Sequence, residues 1–133
     1  MTRHRLFDPE GLAPPIGFSY GALAAGGRTL HIAGLTGHQA DGSIADGLVD
    51  QFGAACEAVE KVIIEAGGRP SDLVSMIIYT TDIVGYRENL APLGERYRAV
   101  FGFHYPPMAL FGIRDLFDPA ALVELVCVAV VPD

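Results

Sequence analysis

The chain lacks tryptophan, has a single lysine and contains no long uninterrupted apolar segment. A membrane-spanning helix needs a run of ~18 or more apolar residues, and no run approaches this length, so no such helix and no membrane partner are predicted. The N-terminal stretch MTRHRLFDPEG carries basic residues without an apolar stretch behind them, which is not the pattern of a secretory signal. The sequence is therefore expected to belong to a cytoplasmic protein.

Positive charge is scarce as well. Nine Lys and Arg residues stand against sixteen Asp and Glu residues, which gives a formal net charge of −7. The basic residues are scattered, and Lys61 is the sole lysine. Because an acidic surface without a basic cluster repels phosphate backbones, nucleic acid is not an expected partner, and a ribonuclease function is disfavoured.

Cysteine is limited to two residues, Cys56 and Cys127, and neither lies in a C-x-x-C motif. Lone cysteines among apolar neighbours are typical of buried small side chains rather than of metal ligands or nucleophiles, and Cys127 is predicted to lie in the core. Metal-ligand spacing is also missing among the histidines, so neither a metal nor another cofactor is expected. The four histidines are His4, His31, His38 and His104.

The chain does contain enough apolar material for one core, since 133 residues of which 50% are hydrophobic suit a single domain over 1–133. Apolar residues after Asp46 recur in steps of four and three, which predicts an amphipathic helix that ends before Gly67-Gly68. A second helix is predicted over 86–101, with its first turns weakened by Pro92.

Strands are predicted where β-branched and aromatic residues concentrate: 17–23, 28–33, 71–82, the segment after Pro106-Pro107, and 121–131. The order β-β-α-β-α-β-β predicts an α+β sandwich, with one mixed sheet and two helices packed on one face. The last strand is apolar at both alternating sets of positions except at Glu124, so both faces of the sheet are expected to be covered. A second copy of the chain is the simplest cover for the face without helices.

Several local segments occur in an order and spacing that resemble the RidA family, also called YjgF/YER057c/UK114. They are PPIGFSYGAL, LHIAGLTG, ADG, VIIEAGGRPSDLVSMIIYTTDIVGY, RYRAVFG, YPPMALFGI and VELVCVAVV, and the resemblance covers about residues 13–131. It implies a chorismate-mutase-like fold and a homotrimer with three ligand clefts between subunits. Deaminating members of the family hydrolyse reactive enamines and imines and release ammonia.

The resemblance also implies a cleft in which an Arg clamps the substrate carboxylate and a Glu orients the attacking water, with help from a Tyr and a Ser. In this chain those positions carry Met108, Val126, Ser19 and Ala33 respectively. Since Met cannot replace a bidentate Arg–carboxylate contact, the chain is interpreted as a diverged member that lacks the deaminase Arg and Glu. The substrate-binding residues expected in the cleft are Ser19, Ala33, Gly34, Tyr79, Met108, Ala109, Leu110 and Val126.

Proton transfer in such a cleft would need other groups, and three are candidates. His31 shares the alternation of Ala33, and imidazole titrates near neutral pH; the alternative is a buried, hydrogen-bonded histidine. Tyr20 lies one residue from the expected tyrosine position; the alternative is an exposed edge-strand residue. Glu124 faces the same side as Val126, about 6–7 Å away along the strand.

For Glu124 the alternatives are a water-orienting base and a structural carboxylate at a subunit interface. Tyr79 either lines the cleft or packs against a helix, and His38, on a loop, is expected to be solvated.

Two functions remain open from the sequence. The first is a diverged hydrolase or deaminase, or a related lyase or tautomerase, which acts on a small imine-like, enamine-like or carbonyl metabolite. In it the backbone N–H groups of Gly34 or Ala109 would polarise the substrate. The second is a non-catalytic protein that binds small molecules in the same clefts.

Overall fold

The computed structural model describes all residues, 1–133. Seven strands and three α-helices follow one another along the chain, with a single 3₁₀ turn, Pro70–Asp72, before the fifth strand. They are β1 (Arg5–Phe7), β2 (Gly21–Leu23), β3 (Arg28–His31), β4 (Leu35–Thr36), α1 (Leu48–Glu65), β5 (Leu73–Thr80), α2 (Ile83–Glu88), α3 (Leu90–Phe101), β6 (Met108–Gly112) and β7 (Val123–Val131).

The main sheet has the strand order β3-β7-β5-β6, and β4 continues along the same edge of β7 that pairs with β3. Strands β5 and β6 are parallel and are connected through α2 and α3, whereas the other pairs are antiparallel. The predicted α+β class, with a mixed sheet and two main helices, is therefore confirmed.

The hydrophobic core lies between one face of this sheet and the helices α1 and α3. Alternate residues of β5 and β7, among them Met76, Leu125 and Cys127, point into it and are almost fully buried. Burial raises the pKa of the Cys127 thiol to about 12, so the thiol stays protonated and inert at neutral pH. The predicted core position of Cys127 is confirmed.

The opposite face of the sheet carries no helix, and we call it the helix-free face. Its residues are half-buried and mostly apolar, which matches the two-sided apolar pattern of β7. No helix or strand of the same chain packs over its centre. Its central residues are Ser75, Ile77, Tyr79, Glu124, Val126 and Val128.

The start of the chain departs from the prediction. Strand β2 begins only at Gly21 and pairs with β1 in a separate ribbon of two strands, not with the main sheet. The preceding residues are held elsewhere, because the Ser19 hydroxyl donates to the Tyr105 carbonyl at 2.6 Å and the Ser19 N–H donates to the Pro106 carbonyl at 3.4 Å. Residues 17–20 are thereby tied to the segment that leads into β6.

The predicted second helix also differs from expectation. The second helix is split at Asn89 into α2 and α3, so Pro92 falls in the first turn of α3, where a missing N–H is tolerated. On α1, Gly53 makes room for a side chain of α3. A Cβ there would lie 2.1 Å from the guanidinium carbon of Arg96, which reaches across from α3 to pair with Asp50 at 2.7 Å.

His104 provides a pH-sensitive contact beneath the end of α3. The Nε2 atom of His104 lies 2.7 Å from the Leu73 carbonyl, and the backbone carbonyl of His104 accepts a hydrogen bond from the Tyr97 hydroxyl. Burial is the main reason that the pKa of His104 lies below its usual value of about 6.5, so folding favours the neutral ring. This contribution to stability is complete above the ordinary imidazole pKa and is lost as the pH falls below it.

We therefore expect the melting temperature to fall between about pH 7 and pH 5, and to fall less steeply in His104→Gln. Thermal unfolding followed by circular dichroism across this range measures the two slopes. Equal slopes in the wild type and His104→Gln would contradict this account.

Candidate functional site

A row of side chains crosses four strands at one end of the helix-free face. The strand register places Phe111 beside Tyr79, Tyr79 beside Glu124, and Glu124 beside Thr36. Because directly paired residues project to the same side of a sheet, these four side chains share one surface. We call them the Glu124 row.

Glu124 is half-buried yet makes no hydrogen bond or ion pair within the chain. Its carboxylate lies against the backbone at Gly34, where a Cβ would come within 2.9 Å of the Glu124 carboxyl carbon. The glycine thus leaves space for the carboxylate, whose oxygens are free to accept hydrogen bonds from a group outside the chain. Such a carboxylate is a candidate general base.

Tyr79 lies on the helix-free face, not against a helix. Its ring stacks on that of Phe111, with centroids 5.8 Å apart and an interplanar angle of 25°. Its hydroxyl has no hydrogen-bond partner in the chain and so remains available to a ligand or to a neighbouring subunit. Aromatic stacking fixes the ring beside Glu124.

On the other side of the sheet, a groove of about 540 Å³ runs between α3 and β6. We call it the aromatic groove. Arg98 is its only charged residue, and it makes no ion pair. Burial raises the pKa of Tyr86 to about 12, so this hydroxyl remains a donor. The lining residues are Ile16, Gly17, Phe18, Phe52, Ile78, Tyr86, Leu90, Leu93, Gly94, Tyr97, Arg98, Tyr105, Met108, Ala109 and Leu110.

The predicted cleft residues divide between these two surfaces. Met108 and Leu110 pair with core-facing residues of β5 and line the aromatic groove. Ala109 and Val126 both pair with Ile77 and belong to the helix-free face, although Ala109 also borders the groove. A single chain therefore does not bring Met108 and Val126 to one surface.

The remaining predicted residues are scattered. The Tyr20 hydroxyl donates to the Ala13 carbonyl at 2.8 Å, which occupies it locally. His31 is exposed and lies opposite Val128 on the helix-free face, with no hydrogen bond of its own. Ala33 is exposed in the turn between β3 and β4, next to Gly34. Ser19 is bound to the segment that leads into β6, as described above.

Sequence reasoning missed the contacts of three polar side chains: His38 and Asp118 next to the Glu124 row, and Arg98 at the aromatic groove. The loop residue His38 is not merely solvated: its ring nitrogens lie 2.6 Å from the Thr36 hydroxyl and 2.9 Å from Asp118. Asp118 is 80 residues from His38, so no local sequence signal could have joined them. Arg98 was likewise missed, since nothing in its neighbourhood of the sequence marks it as lining a groove.

No group of three or more His, Cys, Asp or Glu side chains is arranged to hold a metal ion. None of the helices combines the length and the apolarity that crossing a membrane requires.

Comparisons with known proteins give matches over nearly the whole chain. The family model described as Endoribonuclease L-PSP matches residues 12–131. A search of curated protein sequences found no match. Among solved structures, the Rid-family protein YyfB of Yersinia pestis, described as of unknown function, is 28% identical with a TM-score of 0.86; the alignment covers 98% of this chain and 100% of that one.

Two further structures are similar. Rv2704 of Mycobacterium tuberculosis, a member of the YjgF/YER057c/UK114 family, is 26% identical with a TM-score of 0.66, over 96% of this chain and 99% of that one. RidA of an Antarctic Psychrobacter is 22% identical with a TM-score of 0.69, over 90% and 92% of the two chains, which is evidence for the shared fold alone. With a family match over nearly its full length, the chain belongs to the Endoribonuclease L-PSP family, also known as the RidA or YjgF/YER057c/UK114 family.

Proposed function

We propose that the protein is a diverged hydrolase or deaminase of this family. It acts on a small imine-like, enamine-like or carbonyl metabolite in clefts between the subunits of a homotrimer, without the Arg clamp that the family resemblance implies. The observation that carries the proposal is the half-buried Glu124 carboxylate, which has no partner within the chain and has space kept for it by Gly34.

The positions of Met108 and Glu124 support a cleft between subunits. The first lines the aromatic groove and the second lies on the helix-free face, so they are on opposite sides of the same sheet. One small ligand cannot contact both surfaces of a single chain. When the helix-free face of one subunit packs near the groove of another, both surfaces can line the same cleft.

The chemistry suits hydrolysis of a C=N bond. Glu124, as a carboxylate, accepts a proton from a water molecule while the water oxygen bonds to the imine carbon. The nitrogen leaves as ammonia after it has been protonated. Tyr79, whose hydroxyl has no partner in the chain, can donate a hydrogen bond to the oxygen that forms on this carbon.

The aromatic groove supports a hydrophobic class of substrate. Its apolar and aromatic lining suits a hydrophobic substrate body, which gains most from leaving water there. Met108 offers no charge, but Arg98 at the groove can pair with a carboxylate if the substrate carries one. Imines of aromatic or branched amino acids combine these features.

The same groove also favours the second function, a protein that binds such metabolites without converting them. In that case a ligand raises the melting temperature and no product forms. Ribonuclease activity remains disfavoured, because the net charge is −7 and the lining of the groove holds one cation.

The test is ammonia release from imines that an amino-acid oxidase generates in situ, with and without the protein. Leucine and phenylalanine supply imines with hydrophobic bodies, and alanine supplies a small one for comparison. We expect faster ammonia release, with the larger acceleration for the hydrophobic imines. Thermal stabilisation by the corresponding keto acids, without acceleration on any imine, would instead support the binding function.

A further inference from the structure

Asp118, His38 and Thr36 form a continuous chain of hydrogen bonds beside the Glu124 row. An ionised carboxylate only accepts hydrogen bonds, so in the neutral imidazole Nε2 carries the proton and donates to Asp118. The other nitrogen, Nδ1, then accepts from the Thr36 hydroxyl at 2.6 Å. Carboxylate, imidazole and hydroxyl in this order can move a proton to or from a reacting atom.

We call this series of hydrogen bonds, from Asp118 through His38 to Thr36, the relay. The buried Gln51 holds both ends of the relay in place. Its side-chain amide donates to the Ala120 carbonyl at 3.0 Å and accepts from the Leu122 N–H at 2.8 Å, while the Ala120 N–H donates to Asp118 at 2.8 Å. At the other end, Gly37 packs so closely on α1 that a Cβ would lie 2.6 Å from the Gln51 Cα. The relay is thus fixed by buried contacts, although Asp118 and His38 are partly exposed.

The relay also reaches the site better than His31 does. Thr36 is the direct cross-strand partner of Glu124, a pairing in which Cβ atoms lie about 4.5–5.5 Å apart. His31 pairs with Val128, four residues from Glu124 along β7, which is roughly 13 Å. Of these two histidines, only His38 has its ring linked to the neighbourhood of Glu124, through the Thr36 hydroxyl.

We propose that Thr36, His38 and Asp118 act as the acid–base catalytic group beside Glu124. In this group the Thr36 hydroxyl passes protons between the substrate nitrogen and His38. The proposal rests on the proposed imine hydrolysis. It assigns the acid–base role to His38, in place of His31 and Tyr20, and makes Asp118 a positioning residue that fixes the orientation of the imidazole.

The proton balance is complete without any further reactant. The reaction starts with His38 protonated, so that Nε2–H donates to Asp118 and Nδ1–H donates to the Thr36 hydroxyl oxygen. The water oxygen bonds to the imine carbon as the C=N π bond breaks, and a water proton goes to Glu124. The nitrogen takes the Thr36 hydroxyl proton, which Nδ1–H of His38 replaces. When the carbinolamine collapses, Glu124 returns its proton to the nitrogen and ammonia leaves. The hydroxyl proton passes through Thr36 back to His38, so the site returns to its starting state.

The pH dependence of the relay involves the charged groups that surround His38. Asp118 contacts the ring directly, and Glu124 lies beyond Thr36. On its other side His38 borders a polar groove whose charged residues are Asp46, Asp50, Glu57, Lys61 and Arg96.

The test uses steady-state imine hydrolysis by the full-length protein from acidic to alkaline pH. In Thr36→Val, which keeps the shape and removes the hydroxyl, we expect kcat to fall about 100-fold with KM nearly unchanged. Thr36→Ser should retain most of the rate.

In His38→Gln the decline of the rate at alkaline pH should disappear. Asp118→Asn should lower kcat about tenfold and shift the pH at which the rate declines. Thr29→Val, at an exposed threonine of β3, is the matched control and should behave as wild type.

The possible failures are distinguishable. If the wild type hydrolyses imines and both Thr36→Val and His38→Gln keep its rate and pH profile, the relay is wrong and the proposed function stands. If the wild type accelerates no imine, the proposed function fails and the relay fails with it. Circular dichroism of each variant separates a lost relay from a lost fold.

Discussion

Glu124→Gln is expected to reduce ammonia release by about 10²- to 10⁴-fold while substrate binding is largely preserved. Gln keeps the volume and can still occupy the space next to Gly34, but an amide cannot take a proton from water at neutral pH. The loss should therefore fall on kcat, with KM changed little. Steady-state kinetics of ammonia release, with the imine generated in situ, separate the two constants.

Glu65→Gln is the matched control, because it removes an equal charge from an exposed position on α1. It should retain wild-type kinetics. The proposed role of Glu124 would be wrong if its Gln variant kept the wild-type kcat, or if the loss fell entirely on KM. A structural carboxylate at an interface would instead lower the stability of the oligomer.

Val128→Asp is expected to convert the proposed homotrimer into monomers and to abolish turnover with it. Val128 lies at the centre of the helix-free face between Ser75 and His31, where no helix or strand of the chain packs over it. A carboxylate placed there would be desolvated without a partner when subunits pack, which costs several kcal/mol for each ion. Sedimentation equilibrium should give three times 14.1 kDa for the wild type and the monomer mass for the variant.

Val84→Asp, on an exposed valine of α2, is the matched control and should remain trimeric. Because an aspartate can also destabilise a central strand, Ser75→Arg offers a second disruption of the same face. Its long side chain can reach solvent in a monomer but is too large for a packed interface. A trimeric mass for both folded variants would contradict the assignment of this face to the interface.

The sequence predicted the helices and the central strands well because their periodicity is strong. Apolar steps along 48–65 and β-branched residues along 73–80 and 123–131 are local signals that survive in the folded chain. The two-sided apolar pattern of β7 also led correctly to a sheet face that the chain does not cover with helices.

The candidate site was less predictable because it depends on strand register. The proximity of Thr36 to Glu124 follows from the pairing of a two-residue strand with β7, and no local pattern specifies that pairing. The contact between His38 and Asp118 depends in turn on Gln51, which anchors the 118–122 turn. Alternation along β6 could have predicted that Met108 and Ala109 point to opposite sides of the sheet. Only the three-dimensional structure shows which surface lies on each side.

The decisive measurement is a mixing experiment on the claim that each cleft joins two subunits. Glu124→Gln removes the base, and Leu110→Trp fills the aromatic groove from a position that is 40% exposed. Each variant alone should be nearly inactive. Co-expressed in equal amounts, they should recover about one quarter of the wild-type rate, because a cleft that takes its groove from one variant and its carboxylate from the other is intact.

Recovery near that fraction, in a preparation shown to contain mixed trimers, is the result that this account predicts. Absence of recovery in such mixed trimers would mean that groove and carboxylate act within one chain or that the groove takes no part, and the cleft between subunits would be wrong.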